Sequence, residues 1–183
     1  MIRIGSTILA MVLLSGCGSA PTNPTSVAAI TFVDLSGRVG SGINVLVNTD
    51  QGNTNWVTLA PDGLQAAYPS NQQFGFVAVV LSGDTQLGAR PSRDLSEFKT
   101  LRVQLRGAIG GEAVQIGIKD NTDPDDGSEA KKTFVLSSSW QTFDMAISDF
   151  ITADPKRLYL LFELVFTGTA ARTVFLRDVE YLP

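Results

Sequence analysis

Two stretches near the middle of the chain alternate strictly. They are Leu101-Arg102-Val103-Gln104-Leu105-Arg106 and Val114-Gln115-Ile116-Gly117-Ile118-Lys119. A period of two sends successive side chains to opposite faces, so each stretch is a strand with one face buried, whereas a helix needs a period near 3.6. The same reading predicts strands at Ile43–Val47, Trp56–Leu59, Phe74–Leu81, Lys132–Leu136, Gln141–Ile147, Arg157–Phe166 and Thr173–Leu182. Turn chemistry separates them: Asp62-Gly63, Ser82-Gly83-Asp84, Gly110-Gly111, Asp125-Asp126-Gly127 and Thr167-Gly168. No amphipathic helix of ten residues is visible, and short helical turns are expected at Ser96–Phe98 and Ser148–Phe150. Many short strands with turns between them predict one all-β domain over residues 29–183, an antiparallel β-sandwich of the jelly-roll kind.

The N-terminus reads differently. Met1-Ile2-Arg3 is a short basic start, Ile4–Leu14 is largely apolar, and Leu14-Ser15-Gly16-Cys17 follows. Eleven residues at 1.5 Å each fall short of the ~30 Å hydrocarbon core, so residues 1–16 read as an export signal and not as a membrane span. Residues 17–28 are small, polar and Pro-containing after the cysteine, which describes a flexible tether.

The chain has no histidine and one cysteine. Ser-His-Asp and Cys-His catalytic pairs are therefore absent, and so are the usual His-bearing and all-cysteine metal sites. A net charge of −4 argues against nucleic acid, which calls for a basic surface. No phosphate loop or dinucleotide fingerprint is present, and a non-catalytic role is expected. The loop Asp120-Asn121-Thr122-Asp123-Pro124-Asp125-Asp126-Gly127-Ser128-Glu129 is the densest acidic run. Asp120, Asp123, Asp125 and Asp126 are oxygen donors of the type calcium prefers, although the spacing is not that of an EF-hand; a solvated loop is the other reading. Glu129 and Glu163 are the pair that a glycosidase mechanism would use.

Alternation also assigns faces. In Arg157–Phe166 the even residues Leu158, Leu160, Phe162, Leu164 and Phe166 are expected in the core, leaving Tyr159 and Glu163 outside. Arg102, Gln104, Arg106, Gln115 and Lys119 also point outward, so one sheet face is expected to carry a row of Arg, Gln, Lys, Glu and Tyr. Such a row is either a plain solvated face or a site for a hydroxylated ligand, because these groups are multiple donors and acceptors. A sugar also needs an aromatic ring against its apolar face. Trp56 at a loop edge, Tyr68 before Pro69, and Tyr159 are the candidate rings. Arg102, Gln104, Arg106, Lys119, Glu129 and Glu163 are the candidate polar partners. Trp140 is expected to plug the core, and Phe150 one end of the sandwich.

Leu14-Ser15-Gly16-Cys17 resembles the bacterial lipoprotein box. The resemblance implies cleavage before Cys17, a lipid on that residue, and anchoring in the cell envelope; Gly18 in place of Asp implies the outer membrane. From Trp56 to Pro183 the chain resembles the galactose-binding-like β-sandwich domains. Those are the folds of many carbohydrate-binding modules and of a domain in a mitochondrial complex I assembly factor. The residues that carry it are, in order, Asp94-Leu95-Ser96 with Phe98 and Leu101; Leu105-Arg106-Gly107 with Gly110-Gly111-Glu112; Ile116-Gly117-Ile118-Lys119-Asp120; Trp140-Gln141 with Ser148-Asp149-Phe150; and Val174-Phe175-Leu176-Arg177-Asp178-Val179. It implies a glycan or polysaccharide ligand. The alternative is a structural or assembly lipoprotein that holds a protein partner on one sheet face.

Overall fold

The computed structural model describes residues 27–183. The expected export signal, Cys17 and the tether up to Ser26 lie outside the described residues. Eleven strands form two antiparallel sheets. Sheet A has the order β3 (Val57–Ala60), β4 (Gly63–Tyr68), β11 (Arg172–Leu182), β6 (Thr100–Gly107) and β9 (Gln141–Ala146), with β1 (Ile30–Val33) also on β11. Sheet B has the order β2 (Ile43–Thr49), β5 (Phe74–Leu81), β10 (Leu158–Thr167), β7 (Ala113–Asp120) and β8 (Lys131–Val135). The sandwich expected from alternation is the observed fold.

The core lies between the sheets and follows the alternation. Leu101, Val103 and Leu105 of β6 face Val114, Ile116 and Ile118 of β7 across the interior, all essentially inaccessible. Burying such aliphatic side chains contributes about 1.5–3 kcal/mol each, the term that overcomes chain entropy. Phe150 closes one end of the core, as expected. Val27, in the expected tether, already packs against this core.

Three local features depart from the sequence reading. First, β1 and β4 were not expected. Strand β4, Gly63-Leu-Gln-Ala-Ala-Tyr68, carries Ala and Gln where β-branched residues are usual. It forms because Pro61-Asp62 closes a hairpin with Ala60 opposite Gly63. Second, β10 does not alternate throughout. Register shifts between Leu158 and Phe162 re-aim the chain, so Leu161 joins the main core and Leu160 turns to the outer face. An extra residue in a ladder does this. Third, a 3-10 turn spans Ile147–Asp149 near the expected place and another spans Pro155–Arg157, whereas Ser96–Phe98 is a plain turn held by Ser96 N and Oγ donating to Asp94 Oδ1.

Candidate functional site

The expected single polar row is two rows on opposite faces. Arg102, Gln104 and Arg106 belong to β6 in sheet A; Gln115, Lys119, Tyr159 and Glu163 belong to β7 and β10 in sheet B. With the core between the sheets, these outer faces point in opposite directions.

The expected exposed rings are buried. Trp56, Tyr68 and Tyr159 retain 5%, 1% and 4% of their accessible surface. Trp56, Tyr68 and Phe166 form an aromatic trio with centroids 5.1–5.7 Å apart. Both polar tips are satisfied inside the protein: Trp56 Nε1 donates to Asn53 O at 3.0 Å and Tyr68 OH to Gly168 O at 3.1 Å. An aromatic ring with a polar tip suits a core edge as well as a ligand platform, and here it serves the core. Tyr159 is on the outer face of sheet B, but the Arg90 guanidinium lies over it at 5.1 Å.

Trp140 is not in the core. It is half-buried on the outer face of sheet A and extends from the start of β9 as far as Gly63 in β4. Gly63 has a φ of +150°, and a Cβ there would stand 3.3 Å from the indole and 2.7 Å from Leu176 O. Arg177 stacks on the indole at 4.0 Å, and Arg106 lies 5.3 Å from it and 3.6 Å from Phe175. The polar groups of this face are largely satisfied by one another. Arg102 grips Asp144 with two bonds of 2.7 and 2.8 Å, Arg177 donates to Gln104, Gln104 to Asp178, and Arg106 to Asp62. Sheet A has therefore spent most of its recognition groups internally.

Sheet B presents a different surface. Register across its strands aligns Asn48, Phe76, Val165, Gln115 and Thr133 in one row on the outer face. The neighbouring row is Leu46, Ala78, Glu163, Gly117 and Lys131. Phe74, two residues from Phe76 and on the same side, is 43% exposed. Asn48 and Thr133 are exposed; Phe76, Gln115 and Lys131 are half-buried. A ring flanked by two amides and a hydroxyl suits a hydroxylated ligand, and the Lys131 ammonium at its border is paired with Glu129. The sequence reading overlooked this row because it sought rings only among Trp and Tyr. The Phe74-Gly75-Phe76 alternation, with Asn44, Leu46 and Asn48 alternating on the adjoining strand, was the available signal.

One end of this face is roofed by the Asp120–Ala130 loop, which carries the remaining candidates. Lys119 donates from Nζ to Pro124 O at 2.6 Å and to Asp125 at 3.2 Å, and stands 3.7 Å from Glu129. Arg90 donates to Asp123 O at 2.9 Å and pairs with the Asp125 carboxylate. Glu129 pairs with Lys131, and its carboxyl lies beside that of Glu163; Oε2 of the one and Oε1 of the other are buried with no hydrogen-bond donor in reach among the described residues. Glu163 is 5% exposed and sits over Gly117, where any Cβ would collide with its Oε1. Burial, with the Glu129 charge beside it, pushes the Glu163 carboxyl up to about 8. Burial also opposes charge on Glu129, but the hydrogen bond from Lys131 and a backbone bond outweigh it and hold that carboxyl below its ordinary range. Two carboxyl groups buried side by side leave no room for the sugar atoms and water that separate a glycosidase pair by ~5–10 Å.

Three of the four aspartates named for calcium make local hydrogen bonds or ion pairs, and the fourth, Asp123, has a buried Oδ2 with no partner among the described residues. Asp120 accepts from Thr122 N, Thr122 Oγ1 and Asp154 N at 2.7, 2.6 and 3.1 Å, Asp126 accepts from Ser128 N, and Asp125 serves Arg90 and Lys119. Burial, then the Asp120 charge, raises the Asp123 carboxyl. Among the described residues no three His, Cys, Asp or Glu side chains converge as a metal site would require.

Two further concavities among the described residues lie at the two ends of the sandwich. One of 740 Å3 is lined by Ala67, Tyr68, Pro69, the Ala108–Ala113 turn and Ala170–Thr173; Arg172 in its wall is committed to the carbonyls of Ala113 and Thr167. The other, of 340 Å3, lies beside Phe98, Ile147 and Phe150.

The chain is similar in structure to a family 30 carbohydrate-binding module of a cellulosomal cellulase of Clostridium thermocellum, at 13% identity and a TM-score of 0.59, over 85% of this chain and 97% of that one. It is similar to a family 29 module complexed with mannohexaose, at 8% identity and 0.57, over 84% and 90%. It is similar also to the family 11 module from Clostridium thermocellum in complex with a β-1,3-1,4-mixed-linked tetrasaccharide, at 12% and 0.57, over 86% and 97%. Likenesses at such low identity establish the sandwich fold. No curated protein matches the sequence. The family described as Carbohydrate binding domain 30 matches residues 41–182, which span both sheets from β2 onward, and the chain belongs to that family.

Proposed function

We propose that this is an exported, lipid-anchored protein of the bacterial cell envelope that binds a polysaccharide without catalysis, through the outer face of sheet B. The observation that carries the choice of face is the register row Asn48, Phe76, Val165, Gln115 and Thr133, with exposed Phe74 beside it. Family membership and the solved complexes of similar modules with mannohexaose and a mixed-linked tetrasaccharide support a glycan as ligand. The basic, apolar and Leu14-Ser15-Gly16-Cys17 segments support export and attachment at Cys17, and Gly18 supports the outer membrane. A buried acyl chain contributes ~0.8 kcal/mol per CH2, so more than one chain on a single residue anchors firmly.

A glycan array probed with residues 27–183 tests the ligand. Binding is expected to plant or microbial polysaccharides, and Phe74→Ala with Phe76→Ala is expected to weaken it about tenfold or more, in keeping with ~1.4 kcal/mol of lost ring contact. Silence across the array overturns the glycan reading and favours a protein partner. Labelled palmitate in cells tests the anchor: equal labelling of the wild type and Cys17→Ala overturns it.

A further inference from the structure

The buried carboxyl pair beneath the Asp120–Ala130 loop has no part in holding the core. Glu163 rises from the middle strand of sheet B, in the row next to Phe76 and Gln115, and it meets a residue supplied by a loop. We propose that Glu163 is a positioning residue: it shares a proton with Glu129, and that hydrogen bond pins the Glu129 end of the Asp120–Ala130 loop to sheet B and fixes Lys131 beside the Phe76–Gln115 row. Its consequence for ligand rests on the glycan reading above; the pinning itself does not.

Three observations carry this. Gly117 leaves the space that Glu163 fills, so the carboxyl lies against the sheet and not in solvent. Glu163 Oε1 and Glu129 Oε2 are buried with no hydrogen-bond donor in reach among the described residues, so a proton shared between the two neighbouring carboxyl groups is what satisfies both. Glu129 in turn pairs with Lys131, which stands opposite Gly117 in the register. A chain of contacts thus runs from the strand, through the loop, to a residue bordering the row.

Two neighbouring carboxyl groups can share a hydrogen bond only while one holds a proton. The groups facing the pair decide which one. Lys119 comes from β7, Lys131 from β8, and Asp123 and Asp125 from the loop. Arg90 comes from the β5–β6 connection and is committed to Asp125, and Tyr159 lies further along β10. On the other side of Glu163, β5 and β2 offer only Ala78 and Leu46. The cations favour ionised Glu129, and the apolar flank favours protonated Glu163. Above about pH 8 Glu163 loses its proton, the shared bond becomes a repulsion, and the Glu129 end of the loop is released, while Lys119 and Arg90 still hold Asp123, Pro124 and Asp125.

Hydrogen exchange at the Glu129 end of the Asp120–Ala130 segment, read without any glycan and corrected for intrinsic rates, tests the assignment at about pH 6.5 and about pH 9. In the wild type, protection is expected to fall about tenfold or more between the two. In Glu163→Gln, whose amide donates to Glu129 without titrating, protection is expected to persist at both; in Glu163→Ala it is expected to be low at both. Equal wild-type protection at the two pH values overturns the proposal, and so does a Glu163→Gln profile that follows the wild type. If Glu163→Ala does not fold, the comparison of the wild type with Glu163→Gln decides alone. A pH-dependent loop in a protein that binds nothing on the glycan array overturns the glycan reading and leaves the positioning role standing.

Discussion

Glu163 and Glu129 are the same residue type, and their surroundings give them opposite titration behaviour. The Glu163 carboxyl is raised from 4.5 to about 8 by burial and by Glu129. A raised acid stabilises the fold fully below its unfolded value, and that contribution is lost as pH climbs toward the folded value. Glu129 is lowered, so its contribution is present above the ordinary glutamate range and is lost as pH falls through its folded value. Asp120, Asp144 and Glu112 are lowered too and act in the same sense as Glu129. Urea unfolding across pH is therefore expected to show greatest stability in weak acid, with a decline toward about pH 8. In Glu163→Gln the alkaline decline should flatten while the acid limb stays; an unchanged alkaline limb would contradict the assignment. Outward positions for Lys119 and Glu163 were legible from alternation alone. Their burial was not, because it depends on a loop folding back over the strand, and no local pattern reports that. For the same reason Trp56 and Tyr68 read as exposed: each lies beside a turn, and only the packed trio with Phe166 shows where the rings go.

Among the strands, those with clean alternation were legible nearly to the residue, β6 and β7 above all. Strand β10 was not, because its irregularity between Leu158 and Phe162 exchanges the roles of Leu160 and Leu161, and leucines on both sides of the break hide it. The start of β9 shows a comparable ambiguity. Trp140 follows Ser137, Ser138 and Ser139, and nothing in that context says whether the indole goes between the sheets or onto one of them. It lies on sheet A, where Arg177 and Arg106 with Phe175 make an alternation of rings and guanidinium groups that ties the β8–β9 turn to the β3–β4 hairpin. Replacing Trp140 with Ala is expected to cost about 1–3 kcal/mol in urea unfolding through lost ring packing and cation–π contact. Since sheet B lies across the core, glycan affinity should stay within about twofold of the wild type, a difference of ~0.4 kcal/mol. A large loss of affinity with normal stability would move the recognition surface to sheet A.

The strand succession and turn chemistry made the two-sheet architecture legible, whereas the choice of sheet B as the proposed recognition face was not. That choice depends on which side chains share a register row, and register joins β2, β5, β10, β7 and β8, strands far apart in the sequence. The row has a length as well as a composition. Neighbouring strands stand about 4.8 Å apart, so the four gaps in the five-stranded sheet make a track roughly 19 Å across. That spacing is close to the span of one pyranose ring in an extended chain. Titration calorimetry with a ladder of oligosaccharides is therefore expected to show affinity climbing with each added unit and levelling at about four. A disaccharide that binds as tightly as the polymer would contradict this. The hydrogen-bonded sheet that encloses the core would then also act on its outer side as a gauge, with divisions set by backbone geometry and not by any side chain, so that substitutions along the row change how strongly a chain is held but not how many units are counted.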